Sequence, residues 1–255
     1  YGTLANANDG IAPLPGIIAN TTNPQTIYAT VKNNTTGCYT ITQFNLMVYP
    51  VPTASLTAAA SVICSGDAAA ITFTGTPDAT VEYNVNGGPT QTGLLNASGT
   101  LTVTHNLTAA TTYTLTSVKV LDNNGVMLCS QPFNTSVTIT VNPLPTASIS
   151  GTTTICSGDT APVTFTGTPN STVTYTFNNG TNQQLLLDAS GTATVLAGTA
   201  GIYELVRVTT SGLPACSQDL TGSVTITANP LPTASITGTT STCSNTTGIL
   251  TINGT

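Results

Sequence analysis

The sequence predicts an all-β chain of tandem sandwiches arranged as an extended rod, and three observations carry that prediction. The composition favours strands and turns over helices. The apolar residues alternate with a period of two. One stretch of about 90 residues occurs twice and begins a third time.

Of the 255 residues, 39% are hydrophobic, enough for several small cores. Only 5% are charged, against about 25% in ordinary soluble proteins. Thr, Ser, Asn and Gly must therefore supply the polar surface. Thr favours strands, and Asn and Gly favour turns. The net charge of −6 rests on nine acids and three bases, Lys32, Lys119 and Arg207. So few bases cannot neutralise a row of phosphates, and nucleic acid is not an expected partner. No apolar run approaches the ~18 residues of a membrane span. The chain carries no signal peptide and starts at Tyr1 rather than Met, as expected of a mature, processed or partial polypeptide.

The repeat sets the organisation. "PTASLTAAASVICSGDAAAITFTGTP" from Pro52 returns as "PTASISGTTTICSGDTAPVTFTGTP" from Pro145 and as "PTASITGTTSTCSNTTGILTINGT" from Pro232. Cys64, Cys156 and Cys243 coincide, as do "NASGT" (96–100) with "DASGT" (188–192), Tyr113 with Tyr203, and Cys129 with Cys216. The repeats close on "VTITVNP" (137–143) and "VTITANP" (224–230). The expected divisions are 1–50, the closing part of an upstream domain; 51–143 and 144–230, two full repeats; and 231–255, the opening of a further one. In the first of these, Tyr28 and Cys38 take the places of Tyr113 and Cys129. The native polypeptide is therefore expected to continue on both sides. The alternative is pairing of chain ends between molecules, Cys243 with Cys38, through open strand edges.

Within a repeat each strand follows from alternation. Ile71 and Phe73, Val163 and Phe165, and Leu250 and Ile252 form the inner face of one strand. Val81, Tyr83 and Val85, then Val173, Tyr175 and Phe177, form that of the next. Val137, Ile139 and Val141 line the last strand, as Phe44, Leu46 and Val48 do upstream. "NVNGG", "NNG" (123–125) and "FNNG" (177–180) mark turns. No window carries a sustained helical stripe. Six or seven short strands per ~90 residues predict an Ig-like β-sandwich. Tyr113 and Tyr203 begin a late strand, either as tyrosine corners or as plain core residues. The joints, "VNPLPTAS" and "ANPLPTAS", hold two prolines within three residues, which favours a stiff extended link.

The six cysteines fall once near the start or once near the end of a repeat. Pairing Cys64 with Cys129 and Cys156 with Cys216 keeps each bond within its repeat. Each bond closes a loop of about 60 residues and adds roughly 4 kcal/mol in the chain-entropy model. Cys38 and Cys243 are then left with partners outside this stretch. The alternative is buried free thiols. Paired cysteines imply an oxidising, extracellular setting.

No catalytic constellation emerges. His105 is the one histidine; Leu196 stands near its place in the second repeat, so a loop residue is expected rather than a catalytic one. There is no G-x-S-x-G elbow. Asp67 and Asp159 each follow "CSG" as lone acids and are expected to cap turns. "LDNNG" (121–125) resembles a fragment of a calcium loop but lacks its later Glu, so a hairpin turn is expected. Lys32, Lys119 and Arg207 lie on or beside late strands and read as solvated groups. No cofactor, metal site or enzyme activity is expected.

The phrases "LPTASISGTTTICSGDTAPVTFTGTP", "LDASGTATV" and "PACSQDLTGSVTITANPLPTA" resemble the tandem Ig-like repeats of giant cell-surface adhesins of Bacteroidota, and "NPQTIYATVKNNTTGCYTITQFNLMVYPVPTAS" resembles another module of the same proteins. The resemblance covers the whole chain. It implies an exported protein, similar to type IX secretion cargo of the adhesion and gliding kind, whose repeats form a surface stalk or filament. It also implies O-glycosylation at Asp159-Thr160-Ala161, on Thr160; the matching Asp67-Ala68 offers no hydroxyl.

The expected function is thus a non-enzymatic, extracellular stalk segment at the cell surface that projects a distal binding region. Its partners would be neighbouring repeats of the same polypeptide, with other cell-surface or secretion-system proteins or surface glycans further out. The alternatives are a glycan- or protein-binding Ig-like module and an accessory region of a secreted enzyme. A rod with limited flexing at residues 142–146 and 229–233 should give a maximum dimension of ~100 Å or more in small-angle scattering, from strands of ~30 Å set end to end; a compact globular profile contradicts it.

Overall fold

The computed structural model describes residues 1–17, 20 and 22–255. Strands hold 54% of the residues and helix 2%, the all-β outcome that Thr-rich alternation predicts. The chain divides into two compact units. The first comprises Tyr1–Ala59, Ala70–Val103 and Thr112–Thr138; the second comprises Ala60–Ala69, Thr104–Thr111 and Ile139–Thr255.

The first unit opens with a helix that the apolar pattern does not announce, α1 (Leu4–Asp9). Local capping makes it. The Asn6 N–H donates to Thr3 Oγ1 at 3.1 Å, and Gly10 ends the turn at φ +64°. Ala7 is buried, and its carbonyl accepts from Thr30 Oγ1 at 2.8 Å. Thr30 lies on β1 (Gln25–Lys32), which pairs antiparallel with β2 (Tyr39–Leu46) along its whole length. The inner face expected on Phe44, Leu46 and Val48 is not formed: Phe44 stays 54% exposed, because no second sheet covers that side of the hairpin among the described residues.

A first sandwich follows, from β3 (Ala54–Ala58), β4 (Val62–Cys64), β5 (Ala68–Gly75), β6 (Thr80–Val85), β7 (Gln91–Leu94), β8 (Thr100–Asn106), β9 (Thr111–Leu121) and β10 (Met127–Asn142). Its sheets run β3-β5-β8 and β4-β10-β9-β6-β7, an Ig-type order. Period-two alternation buries Ile71, Phe73, Val81, Tyr83, Tyr113 and Leu115. The rings of Phe73 on β5 and Tyr83 on β6 meet with centroids 4.8 Å apart, one contact from each sheet. The β6–β7 turn places Asn86 and Gly87 at φ +51° and +69°, the backbone that "NG" favours.

The second sandwich repeats this layout with β11 (Ala147–Gly151), β12 (Thr154–Cys156), β13 (Ala161–Gly167), β14 (Thr172–Phe177), β15 (Gln183–Leu186), β16 (Thr192–Ala197), β17 (Gly201–Thr209), β18 (Ser217–Asp219) and β19 (Ser223–Asn229). Its sheets are β11-β13-β16 and β12-β19-β17-β14-β15, with β18 also on β17. Val163, Phe165, Val173, Leu187 and Val208 are wholly buried between them. Tyr175 packs on Phe165 at 4.9 Å, and Tyr203 packs on Phe177 at 4.8 Å, so Tyr203 is a core aromatic.

The first strand of each repeat is split in two, which raises the strand number above the six or seven expected. β3 pairs antiparallel with β5, whereas β4 pairs parallel with the end of β10. The chain changes sheets at residues 59–61, and again between β11 and β12.

Two repeated phrases prove to be one contact. The Gly167 N–H of "TGTP" donates to the Gly191 carbonyl of "ASGT" at 2.8 Å. Gly191 has φ +78°, and a Cβ there would lie 2.2 Å from the Gly167 oxygen. Gly75 and Gly99 repeat both the bond and the clash.

β20 (Ala234–Gly238) and β21 (Leu250–Gly254) close the described chain as a hairpin. Ile252 lies opposite Ile236 as Phe165 lies opposite Ile149. Yet Leu250 and Ile252 are 67% and 68% exposed, against the inward positions expected, because no opposing sheet covers this hairpin among the described residues.

Truncating Phe165 to Ala should cost ~3–5 kcal/mol, the range for a buried aromatic. Leu196→Ala, on a side chain 67% exposed, should stay within ~0.5 kcal/mol. Urea denaturation of the two variants checks the contrast.

Candidate functional site

The described chemistry of the chain centres on one bond. Cys64 and Cys216 form a disulfide, with Cα atoms 5.5 Å apart and a sequence separation of 152. It joins the first repeat to the second, and both cysteines belong to the second compact unit.

Local structure fixes each half. Cys64 ends β4, opposite Asn142 of β10. A turn follows, in which the Asp67 N–H donates to the Cys64 carbonyl at 3.0 Å and Gly66 takes φ +90°. Asp67 Oδ2 accepts the Cys64 N–H at 3.3 Å, the capping role expected of that acid. Cys216 sits just before β18. Its N–H donates to Thr210 Oγ1 at 2.9 Å, and its carbonyl accepts the Thr210 N–H at 2.9 Å. Both cysteines are buried.

The pairings expected from sequence, Cys64 with Cys129 and Cys156 with Cys216, do not form. Cys129, Cys156, Cys38 and Cys243 are free thiols, Cys129 half-buried and the others exposed. The second repeat shows why. Cys156 lies opposite Asn229, three residues beyond Ile226, which pairs with Gly201 at one end of β17. Cys216 pairs with Thr210, just past the other end. Nine residues of extended chain separate those ends, ~30 Å, while a disulfide needs Cα atoms within ~7 Å. The first and late cysteines of one repeat thus occupy opposite poles. A sequence signal for this exists: Cys129 and Cys216 each fall thirteen residues before the closing Asn, Asn142 or Asn229.

The remaining candidates are spread over the surface. His105 lies exposed on β8, a strand rather than the expected loop, where β16 carries exposed Leu196. The Asp159 N–H donates to the Cys156 carbonyl at 3.0 Å, and Thr160 follows, exposed. Asp122 of "LDNNG" accepts the N–H groups of Asn124 and Val126 at 2.9 and 2.7 Å, a hairpin turn as expected. Two of the three bases are ion-paired rather than simply solvated. Lys119 binds Glu82, and together with the Ser117 hydroxyl it holds the Glu82 carboxyl below its ordinary range. Arg207 Nε donates to Asp219 Oδ1 at 2.6 Å on the surface. Lys32 is exposed on β1. Among the described residues no three His, Cys, Asp or Glu form a group able to hold a metal ion.

An open groove of about 610 Å³ runs past Thr176, Asn179, Glu204, Leu220, Thr221 and Ser223. Its lining holds one carboxylate and no aromatic ring.

The loop acid Asp188 is the most strongly perturbed of these groups. It accepts from the Ser190 hydroxyl at 2.6 Å and from the Ser190 and Thr192 N–H groups at 2.9 Å each, which lowers its carboxyl to about 2. In the first repeat, Asn96 accepts the matching N–H groups of Ser98 and Thr100 at 2.9 Å each. A depressed folded value gives stability that is present above the ordinary value of 3.8 and lost as pH falls toward about 2. Asp188→Asn should therefore keep the loop at neutral pH and flatten the fall of Tm between pH 4 and 2; an unchanged acid profile would contradict it. Non-reducing peptide mapping of the oxidised chain should yield one cross-linked pair, holding Cys64 and Cys216, with the other four thiols alkylated.

No helix of the described residues is long and apolar enough to cross a membrane. No curated protein matches the chain. Among solved structures, the chain is similar to a marsupial T cell receptor, at 11% identity and TM-score 0.41, over 73% of this chain and 77% of that one. It is also similar to the human OSCAR ligand-binding domain, at 14% identity and TM-score 0.30, over 69% and 98%. Native E. coli alpha-2-macroglobulin is matched at 9% identity and TM-score 0.32, over 85% of this chain and 20% of that one. Residues 1–52 match the model of the Flavobacterium inter-domain disulphide bond domain family, which points to Bacteroidota as the source of the module.

Proposed function

We propose that this chain is a non-enzymatic structural segment of a secreted or cell-surface repeat adhesin, a stalk that projects a distal binding region. The observation that carries the reading is the Cys64–Cys216 bond, which ties one repeat to the next rather than closing either on itself. The core of the second repeat, with Phe165, Val173 and Leu187 wholly buried, is built without a disulfide between cysteines of that repeat. The bond instead resists separation of successive repeats, which is what a load-bearing series requires. Its persistence fits an oxidising compartment outside the cytoplasm. The match of residues 1–52 to a flavobacterial inter-domain disulphide bond domain accords with a chain whose repeats are joined by sulfur, and the sequence resemblance is what supports the adhesin type, type IX export and the cell surface.

Little in the described residues favours a binding module. The open groove past Thr176 and Glu204 lacks the aromatic platform that sugars use, and the core claims Tyr83, Tyr113, Tyr175 and Tyr203. In-frame removal of residues 51–230 from the native protein should shorten its surface projection in electron micrographs and leave ligand binding by the remaining protein intact. Loss of specific glycan or protein binding with that deletion, together with binding by the isolated chain, would overturn the stalk reading in favour of a binding module.

A further inference from the structure

We infer that the parallel pair in each repeat, β4 on β10 and β12 on β19, is a mechanical clamp, whose backbone hydrogen bonds set the force at which a repeat opens when tension runs through it from end to end. The clamp deepens the stalk reading and rests on it for the direction of the load. It lies within one repeat and is made without sulfur.

The direction follows from the topology. Tension enters the second repeat through Pro145, β11 and β12, and leaves it through β19 and Pro230. β12 and β19 are neighbours in one sheet and run parallel, with Thr154 opposite Thr227, Ile155 opposite Ala228 and Cys156 opposite Asn229. Tension draws β12 back toward its start and β19 onward toward its end. In a parallel pair these two pulls oppose each other along one axis. The strands must slide, and all the bonds between them are strained together. An antiparallel hairpin pulled at its free ends opens one bonded pair after another instead. β11 precedes β12 on the path, but it is bound to β13, an inner strand that tension reaches only through the fold. The opening and closing strands therefore resist each other directly in the β12–β19 patch.

Both repeats build this patch alike. In the second, the Thr227 N–H donates to the Thr153 carbonyl and the Ser157 N–H to the Asn229 carbonyl, each at 2.8 Å. In the first, the Thr140 N–H donates to the Ser61 carbonyl and the Ser65 N–H to the Asn142 carbonyl, each at 2.9 Å. Between these end bonds Val62, Ile63 and Cys64 face Thr140, Val141 and Asn142 in the same register. Val62 becomes Thr154 and Val141 becomes Ala228 without moving the register, because the backbone makes the bonds. The middle residue is isoleucine in both, Ile63 and Ile155, and both are buried. The core side of the patch is thus dry, and a strained bond finds no water there to replace it.

The sulfur link and the clamps act in succession. While Cys64–Cys216 is closed, covalent tension passes from β4 to Cys216, and residues 65–215 lie off its path. Once a reductant opens that bond, the load runs through both repeats and the clamps hold them shut.

The test holds the full chain by its two ends in optical tweezers, in reducing buffer. Forced opening reads the barrier rather than the equilibrium stability. Two abrupt opening steps are expected, one for each repeat. Thr227→Pro removes the N–H that Thr153 accepts and should lower the opening force of one step by about a quarter or more, leaving the other unchanged. Val173→Ala weakens the core and leaves the patch intact; at equal loss of urea stability it should lower the force less than Thr227→Pro does. An unchanged force in Thr227→Pro, or an equal fall in Val173→Ala, overturns the clamp. A second measurement keeps the patch and turns the load. Handles at residues 154 and 227, both exposed and paired across the patch, peel it from one end. Opening there should need less force than opening from the chain ends, and an equal or greater force overturns the clamp even if Thr227→Pro does not fold. Either failure strikes the clamp and leaves the stalk reading to the deletion of residues 51–230.

Discussion

The parallel pairing of the split first strand with the closing strand is the constraint on which the rest depends. β4 on β10 and β12 on β19 each run toward the end of the repeat and stop at the closing Asn. The strand's last residue therefore lies beside the joint to the following repeat. A cysteine there is out of reach of the late cysteine of its own repeat and within reach of the next one's. The change of sheet between β3 and β4 keeps backbone bonds on both sides, Ala59 N–H to the Ala70 carbonyl at 3.0 Å and Thr140 N–H to the Ser61 carbonyl at 2.9 Å, and lets one strand serve both sheets. The bond that results closes a loop between cysteines separated by 152 in sequence, worth about 5 kcal/mol against the unfolded chain in the loop-entropy model. The joint at Pro143–Pro145 lies inside that ring, so repeats joined by a peptide link are also joined by sulfur.

The conserved wording of the two repeats marks the places where backbones touch. "TGTP" and "ASGT" lie more than twenty residues apart, yet Gly167 and Gly191 share a hydrogen bond and neither site has room for a Cβ. The change from "NASGT" to "DASGT" leaves that geometry intact, because Asn96 and Asp188 accept the same backbone N–H groups. What changes is the response to acid, since only the carboxyl titrates. The charged groups show the same economy. Lys119 and Arg207 are each tied to a carboxylate on the outer face of a sheet, and the polar surface is otherwise carried by Thr and Ser pairs such as Ser148 with Thr166 at 2.8 Å.

The sandwiches were legible because their signal is local. Alternation at Ile71, Phe73, Val81 and Tyr83, and again at Val163, Phe165, Val173 and Tyr175, names the inner faces, and every one of these residues is buried. "NG" and "NNG" name turns because Asn and Gly accept positive φ, as Asn86, Gly87, Asn178 and Asn179 do. The same alternation at Phe44, Leu250 and Ile252 names strands correctly but not burial, because burial needs a second sheet that alternation does not describe. Helix α1 escaped because one capped turn of six residues is too short to show a period.

The sequence by itself determined the all-β class, the repeat and the inward residues, since each follows from spacing along the chain and from what a side chain prefers. Only the tertiary structure decided which cysteines meet. Two cysteines per repeat fit a bond inside each repeat as readily as a bond between repeats when they are merely counted. The choice is made by the ~30 Å length of β17, which holds Cys156 and Cys216 at opposite poles, and by the sheet change that brings Cys64 to the joint. Distance across a fold is set by how strands stack, and strand stacking has no spelling in one repeat.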